Sequence, residues 1–162
     1  MPNPEALQRL EIRLAEESDI RHLVMREKEC FDAYYYSDYQ FDDLDFRSYL
    51  ESKGAILLVA IWNSSIIGYA AGSVRGAQSE LVAELDSIAV TSTFRGKRVG
   101  DRLLRCFIKD AKNRSCKKIL LQVATHNEGA MVFFSRRGFQ KIRYLPGHYG
   151  KRWDGILMEL KI

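Results

Sequence analysis

The sequence contains little cysteine. Cys30, Cys106 and Cys116 are an odd set with no CxxC spacing. That excludes a disulfide framework or a zinc knuckle as the organising device and suits a reducing compartment. There is also no uninterrupted apolar run of the roughly 18 residues that a membrane-spanning helix needs. The opening Met1-Pro2-Asn3-Pro4-Glu5 has neither the basic nor the apolar part of a secretory signal. The expectation is a cytoplasmic protein that does not enter a membrane. No repeat, low-complexity tract or linker divides the 162 residues. A single domain over residues 1–162 is therefore expected, with residues 1–9 as a flexible leader.

Charge is present but unevenly placed. Residues 95–118 carry ten basic side chains against Asp101 and Asp110, whereas the span 16–53 tips acidic, most densely at Asp42, Asp43 and Asp45. Such asymmetry suits a polyanionic ligand at one place and a cationic one at another. A nucleic acid is not the expected polyanion, because no aromatic side chains interleave the basic stripe.

Hydrophobic periodicity predicts the elements. Glu11 to Leu14 reads as a short strand, and Ser18 or Asp19 caps a helix running to about Cys30. An aromatic-rich loop follows, from Phe31 to Tyr39, and then a short helix opened by Asp42 and Asp43. Ala55–Ile61 and Ile66–Val74 are apolar runs joined by Trp62-Asn63-Ser64-Ser65, a hairpin signal. The helix from Val99 to Asn113 places Val99, Leu103, Leu104, Phe107, Ile108 and Ala111 on one face and Arg102, Arg105, Lys109 and Lys112 on the other. Ile119–Thr125 is apolar enough to be a strand covered on both faces. Asn127–Arg137 predicts a helix ended by Gly138, and Gln140–Tyr144 and Gly155–Leu160 are closing strands. The fold class is α/β (α+β): one mixed sheet with helices on both faces.

Within this order one stretch stands out. The strand Glu84–Val90 leads through Thr91-Ser92-Thr93-Phe94 into Arg95-Gly96-Lys97-Arg98-Val99-Gly100, and a helix begins at once. Backbone N–H groups and the positive end of a helix dipole converge there, which is how a phosphate is held. The loop resembles the acetyl-CoA-binding motif Q/R-x-x-G-x-G/A of the GNAT superfamily of N-acetyltransferases. Asn127-Glu128-Gly129-Ala130 followed by Phe133-Phe134-Ser135-Arg136-Arg137-Gly138-Phe139 is similar to that family's second signature. Gly147-His148-Tyr149 with Asp154-Gly155-Ile156-Leu157-Met158 is similar to the branch that acetylates protein N-termini.

The resemblance implies the GNAT fold, a mostly antiparallel sheet splayed after its fourth strand, with acetyl-CoA as cosubstrate. It implies that the backbone of Ile88, Ala89 and Val90 pairs with the pantetheine arm where the sheet opens after Val90. The N–H groups of Arg95, Gly96, Lys97, Arg98, Val99, Gly100 and Asp101 would hold the pyrophosphate, and Gly100 would let the backbone come close. Arg102 or Arg105 would meet the 3′-phosphate, and Asn127 the cofactor's arm. The acceptor would lie between Phe31, Tyr34 and their neighbours and the closing loop at Tyr149. No metal is implied.

Three positions depart from the family pattern. Arg98 stands where a glycine is usual, a variant that fits a helical backbone. Phe134 replaces the tyrosine that protonates the leaving thiolate, for which Tyr149, Tyr144 and Tyr36 are substitutes. Gln122 replaces a glutamate or histidine and either positions a water at the substrate or packs as a satisfied polar residue. Strict alternation puts Glu84, Asp86, Ile88 and Val90 on one face, and Glu84 is the expected base, with Asp86 as the alternative. A thiol near pKa 8.5 leaves with little help, and an α-amine near 7.7–8.0 is roughly one-fifth neutral at about pH 7.2, against under a thousandth for lysine. The expected reaction is direct acetyl transfer in a ternary complex to a protein or peptide N-terminus. A small amine (a polyamine or an antibiotic) and a regulatory acetyl-CoA-binding module are alternatives. A monomer or homodimer is expected.

Overall fold

The structure is a computed structural model that describes residues 9–31, 40–150 and 153–162. The chain runs β1 (Glu11–Leu14), a 3-10 turn (Glu17–Asp19), α1 (Ile20–Cys30), α2 (Asp43–Glu51), β2 (Ala55–Trp62), β3 (Ser65–Arg75) and β4 (Val82–Val90). A second 3-10 turn (Ser92–Phe94), α3 (Val99–Asn113), β5 (Lys118–Ala124), α4 (Glu128–Ser135), β6 (Gln140–Leu145) and β7 (Gly155–Lys161) complete it. The leader expected at 1–9 falls, up to residue 8, outside the described residues. Leu10 is already buried.

The strands form one sheet in the order β1-β2-β3-β4-β5-β7-β6. β4 and β5 run parallel, while the other neighbouring pairs are antiparallel. Each face carries its own core. On one side Leu103, Leu104 and Phe107 of α3 and Phe134 of α4 pack on Ile56, Ala70, Leu85 and Leu121. On the other, Ile20 and Leu23 of α1 and Phe46 of α2 cover Val59, Tyr69 and Ala89. Each fully buried Leu, Ile or Phe contributes about 1.5–3 kcal/mol.

Helix starts follow local chemistry. Asp42 accepts from Asp45 N and Asp45 from Asp42 N, both at 2.9 Å, a reciprocal box that opens α2. Ser18 does not cap α1. Glu16 and Asp19 close the box one turn earlier, over the 3-10 turn. Asp19 is drawn inward because its carboxylate also meets Arg13 Nη1 at 2.7 Å. The Arg13 hydrogen bond holds its carboxyl below the usual range, against the effect of its burial.

Two expectations about β4 change. Ala71 pairs with Ser87 but Gly72 pairs with Leu85, so Asp86 is an extra residue without a partner on β3. This bulge breaks the strict alternation. Leu85, Ile88 and Val90 face α3, and Ala89 faces α1. Glu84, next to Leu85, therefore lies on the α1 side, not on one face with Ile88 and Val90. Pairing of β4 with β5 also stops at Leu85 and Leu121. The sheet thus opens within β4, five residues before Val90, because the bulge bends β4 away from its neighbour.

Candidate active site

The opening between β4 and β5 divides into two joined clefts. The first, about 420 Å³, is lined by Glu27, Glu84, Asp86, Ser87, Gln122 and Tyr149 among others. The second, about 690 Å³, runs past Ala89, Val90, Arg95, Gly100, Asp101 and Arg137. Phe31, Ile88, Asn127, Ala130 and Phe134 border both. A ligand spanning the junction would lay its middle on Ile88 and Phe134. Both volumes lie in the usual range for small-molecule sites.

The second cleft is built by the glycine-bearing loop and the start of α3. Arg95 Nε donates to Val90 O at 3.1 Å, and Lys97 Nζ donates to Thr93 O at 2.7 Å. These bonds tie the loop back to the end of β4 and to the turn that precedes it. A Cβ placed on Gly100 would come into ordinary contact with the Phe133 ring at 3.4 Å and with Val90 at 3.8 Å. Nothing lies within 4 Å of a Cβ placed on Gly96, so the open space in front of the loop is there, which suits a close-approaching phosphate. Asp101 places a carboxylate at the same point, but Arg137 Nε donates to it. That hydrogen bond, the largest influence on it, lowers its pKa. Arg137 also lies 3.6 Å over the Phe133 ring and donates to Phe133 O at 2.6 Å. The pair ties the end of α4 to the start of α3.

Arg98 is the N-cap of α3 with φ 63° and ψ 13°, so its backbone is left-handed rather than helical. A non-glycine residue thus holds a conformation that favours glycine. A side chain there costs about 1 kcal/mol. Arg98→Gly is expected to raise stability by up to about 1 kcal/mol, or roughly 2–4 °C in the midpoint of thermal unfolding. A lowered midpoint would show that the exposed Arg98 side chain holds the loop.

Of the residues expected at the cofactor, Ile88, Ala89, Val90, Arg95, Gly96, Arg98, Val99, Gly100, Asp101, Asn127 and Phe134 all border the clefts, and Lys97 does not. Asn127 Oδ1 accepts from Ala130 N at 3.1 Å, capping α4. Arg102 reaches away to Leu10 O, at 2.8 Å. Phe134 is buried and packs edge-on against Phe133 and Phe139, with centroids at 5.1 and 5.4 Å. Burial raises the pKa of the Cys30 thiol beside this cleft, which keeps it protonated and unreactive.

At the acceptor side, Phe31, Gln122 and Tyr149 line the first cleft. Tyr34 and Tyr36 lie outside the described residues. The Tyr149 hydroxyl donates to Gln122 O at 3.2 Å, tying the closing loop to β5. Tyr144 is turned away, donating to Asp154, and borders neither cleft. Glu84 meets Arg75 at 3.4 Å. Asp86 accepts from Tyr49 OH at 2.6 Å, and burial of its carboxylate raises its pKa.

Sequence reasoning missed Glu27, Tyr69 and Ser87. Glu27 is only 2% exposed and accepts from Phe41 N at 3.0 Å and from the Tyr69 hydroxyl. Tyr69 OH in turn lies 2.9 Å from Ser87 Oγ. The signal was present: Ile20, Leu23 and Glu27 follow the i, i+3, i+7 spacing of a buried face, with an acid in the third place.

Residues 18–139 match the Acetyltransferase (GNAT) family. An N-alpha-acetyltransferase of Saccharolobus solfataricus is 28% identical over 70% of this chain and 73% of its own. N-alpha-acetyltransferase 60 of Xenopus tropicalis is 26% identical over 74% of this chain, which spans only 57% of that protein. Among solved structures, Arabidopsis thaliana NAA60 in complex with a bisubstrate analogue superposes with a TM-score of 0.82 at 18% identity, covering 94% of this chain and 98% of that one. The ribosomal-protein-S18-alanine N-acetyltransferase of Escherichia coli superposes with a TM-score of 0.79 at 19% identity, covering 94% of each chain. With the glycine-bearing loop at the start of α3, the split sheet and the family match in agreement, the chain belongs to the GNAT acetyltransferase family and is an N-acetyltransferase that takes its acetyl group from acetyl-CoA.

Proposed function

We propose that the acceptor is the α-amine of a protein or peptide N-terminus. The observation that carries this reading is the first cleft itself. It is bordered by Phe31, Tyr49, His148 and Tyr149 and is also lined by Glu84 and Asp86. Aromatic walls with polar tips suit an extended peptide end, and the two carboxylates suit its charged amine. The similarity to proteins named N-alpha-acetyltransferase supports the same acceptor.

In the reaction the neutral amine attacks the thioester carbonyl, a C–N bond forms, the C–S bond breaks and the thiolate leaves. Backbone amides of the α3 start would hold the phosphates and Ile88 to Val90 would align the pantetheine arm, with Phe134 in the wall shared by both clefts. Glu84, in the lining of the first cleft, takes the first proton, from the incoming ammonium. The Tyr149 hydroxyl in the first cleft is tied to Gln122 O, and a thiolate whose thiol has a pKa of about 8.5 departs with little help.

Thiol release measured with a panel of N-terminal peptides and with polyamines tests the acceptor. Peptide turnover at least tenfold above polyamine turnover is expected, and the reverse order would overturn the reading. Glu84→Gln is expected to lower kcat/KM for the amine about tenfold at pH 7 and to leave the Kd of acetyl-CoA within twofold. An unchanged rate would remove Glu84 as the first proton acceptor.

A further inference from the structure

Amine acetylation releases two protons. One leaves the ammonium before attack, and one leaves the nitrogen as the C–N bond forms. Glu84 lines the first cleft on β4, three residues before Ser87. With strand residues rising about 3.3 Å each, that is on the order of 10 Å from the junction of the two clefts beside Ile88. The second proton needs an acceptor nearer that junction.

We propose that Glu27, acting through the hydroxyls of Tyr69 and Ser87, receives the proton that the attacking nitrogen loses as the C–N bond forms; this rests on the N-acetyltransferase reading of the site. Ser87 borders the first cleft beside Ile88, which lies at the junction with the second. Tyr69 is fully buried behind it and joins Ser87 Oγ, at 2.9 Å, to the Glu27 carboxylate. The order of donors is set from the inner end. Tyr69 donates to Glu27, so Ser87 donates to Tyr69 and keeps lone pairs to accept a proton from the cleft side. As the nitrogen lone pair bonds carbon and the sulfur takes the C–S pair, the N–H proton passes to Ser87. The Ser87 proton passes to Tyr69, and the Tyr69 proton to Glu27. Glu27 becomes a neutral acid, and it returns the proton to solvent after the product leaves.

The setting of Glu27 fits the task. It stands on the buried face of α1 with Asp45 as its charged influence, and burial, the largest cause, pushes its carboxyl up to about 7. Such a group is partly ionised at neutral pH and close in proton affinity to an α-amine. The other titratable or charged groups facing the same cleft are Tyr49 of α2, Arg75 of β3, Glu84 and Asp86 of β4, and His148 and Tyr149 of the closing loop. Cys30 lies one turn along α1. The bulge at Asp86 is what brings Ser87 to the α1 side, so this chain of hydroxyls exists only because β4 is irregular there.

The test is the pH profile of kcat from about pH 5.5 to 9 for the wild type, Glu27→Gln and Ser87→Ala, with acetyl-CoA binding measured by calorimetry as the folding control. Glu27→Gln keeps the size of the side chain and its hydrogen-bonding reach. It is expected to lower kcat about 100-fold at pH 7.5, with the KM and Kd for acetyl-CoA within twofold, and to lose the acid limb near pH 7. Ser87→Ala leaves Glu27 in place and is expected to lower kcat about tenfold. A kcat within threefold of wild type in both variants, with the acid limb retained in Glu27→Gln, would overturn the relay. The same comparison runs with whichever amine turns over best. Preference for a polyamine would defeat the α-amine reading while the acid limb still decides the role of Glu27.

Discussion

Replacing Gly72 with alanine is expected to cost about 3 kcal/mol and to lower the thermal midpoint by roughly 6–12 °C. Gly72 lies on β3 opposite Leu85, at the edge of the bulge. A Cβ there would stand 2.2 Å from Glu84 O and 2.6–2.7 Å from the Phe107 ring. The carbonyl belongs to the backbone of a paired strand and cannot swing aside, and Phe107 is fully buried on α3. Either β3 and β4 separate or α3 lifts from the sheet. Both distort the bulge that directs Ser87 and Asp86 into the acceptor cleft, so activity is expected to fall further than stability alone would explain. Chemical unfolding of the variant, with acetyl-CoA affinity measured alongside, checks this. A loss below about 0.5 kcal/mol would mean that the bulge is soft enough to absorb a methyl group.

The second large effect concerns pH and stability. The carboxyl of Glu27 rises from an ordinary value of 4.5 to about 7 on folding, with burial as its largest cause. Because the folded-state value is raised, its contribution is fully present below pH 4.5 and is lost as pH rises through about 7. A shift of this size corresponds to about 3 kcal/mol between those limits. Glu27→Gln is expected to abolish that decline and leave the acid side of the profile unchanged. Asp19 shapes the acid side in the opposite sense. Its pKa is lowered, so its contribution is present above the unfolded value and disappears as pH falls through the folded one. Urea unfolding of both proteins between pH 4 and 8 measures the difference. Parallel profiles would show that Glu27 titrates as an ordinary carboxylate, and the match to an α-amine would be lost with it.

The strand, glycine-bearing loop and helix expected at the cofactor were legible in the sequence, because their order is local and residues 95–101 are contiguous. The helix expected over Val99–Asn113 has those same bounds, because its apolar and basic residues separate cleanly at helical spacing. Arg98 was legible as an exception but not in its backbone conformation. Residue type alone does not say whether a non-glycine will take a left-handed cap.

The acceptor side was read less well, for a physical reason. Strict alternation along β4 placed Glu84 and Asp86 with Ile88 and Val90, and one extra residue at Asp86 reversed the relation. A bulge leaves little trace in a single sequence, because it answers the packing of Gly72 against Phe107 and Leu85 rather than any local propensity. Glu27 was hidden differently. An acid within the apolar stripe of α1 looks like a break in the pattern until its partners, Tyr69 from β3 and the Phe41 amide, arrive from distant parts of the chain.

The sequence by itself determined the family, the fold class and the strand–loop–helix order expected to hold the phosphates, because those rest on short-range order and on periodicity that survives without tertiary contacts. Only the tertiary structure decided where the sheet opens, which face Glu84 shares and that Glu27, Tyr69 and Ser87 form one hydrogen-bonded chain. Those outcomes depend on register between strands and on burial, and neither exists until the sheet and both helical layers have assembled.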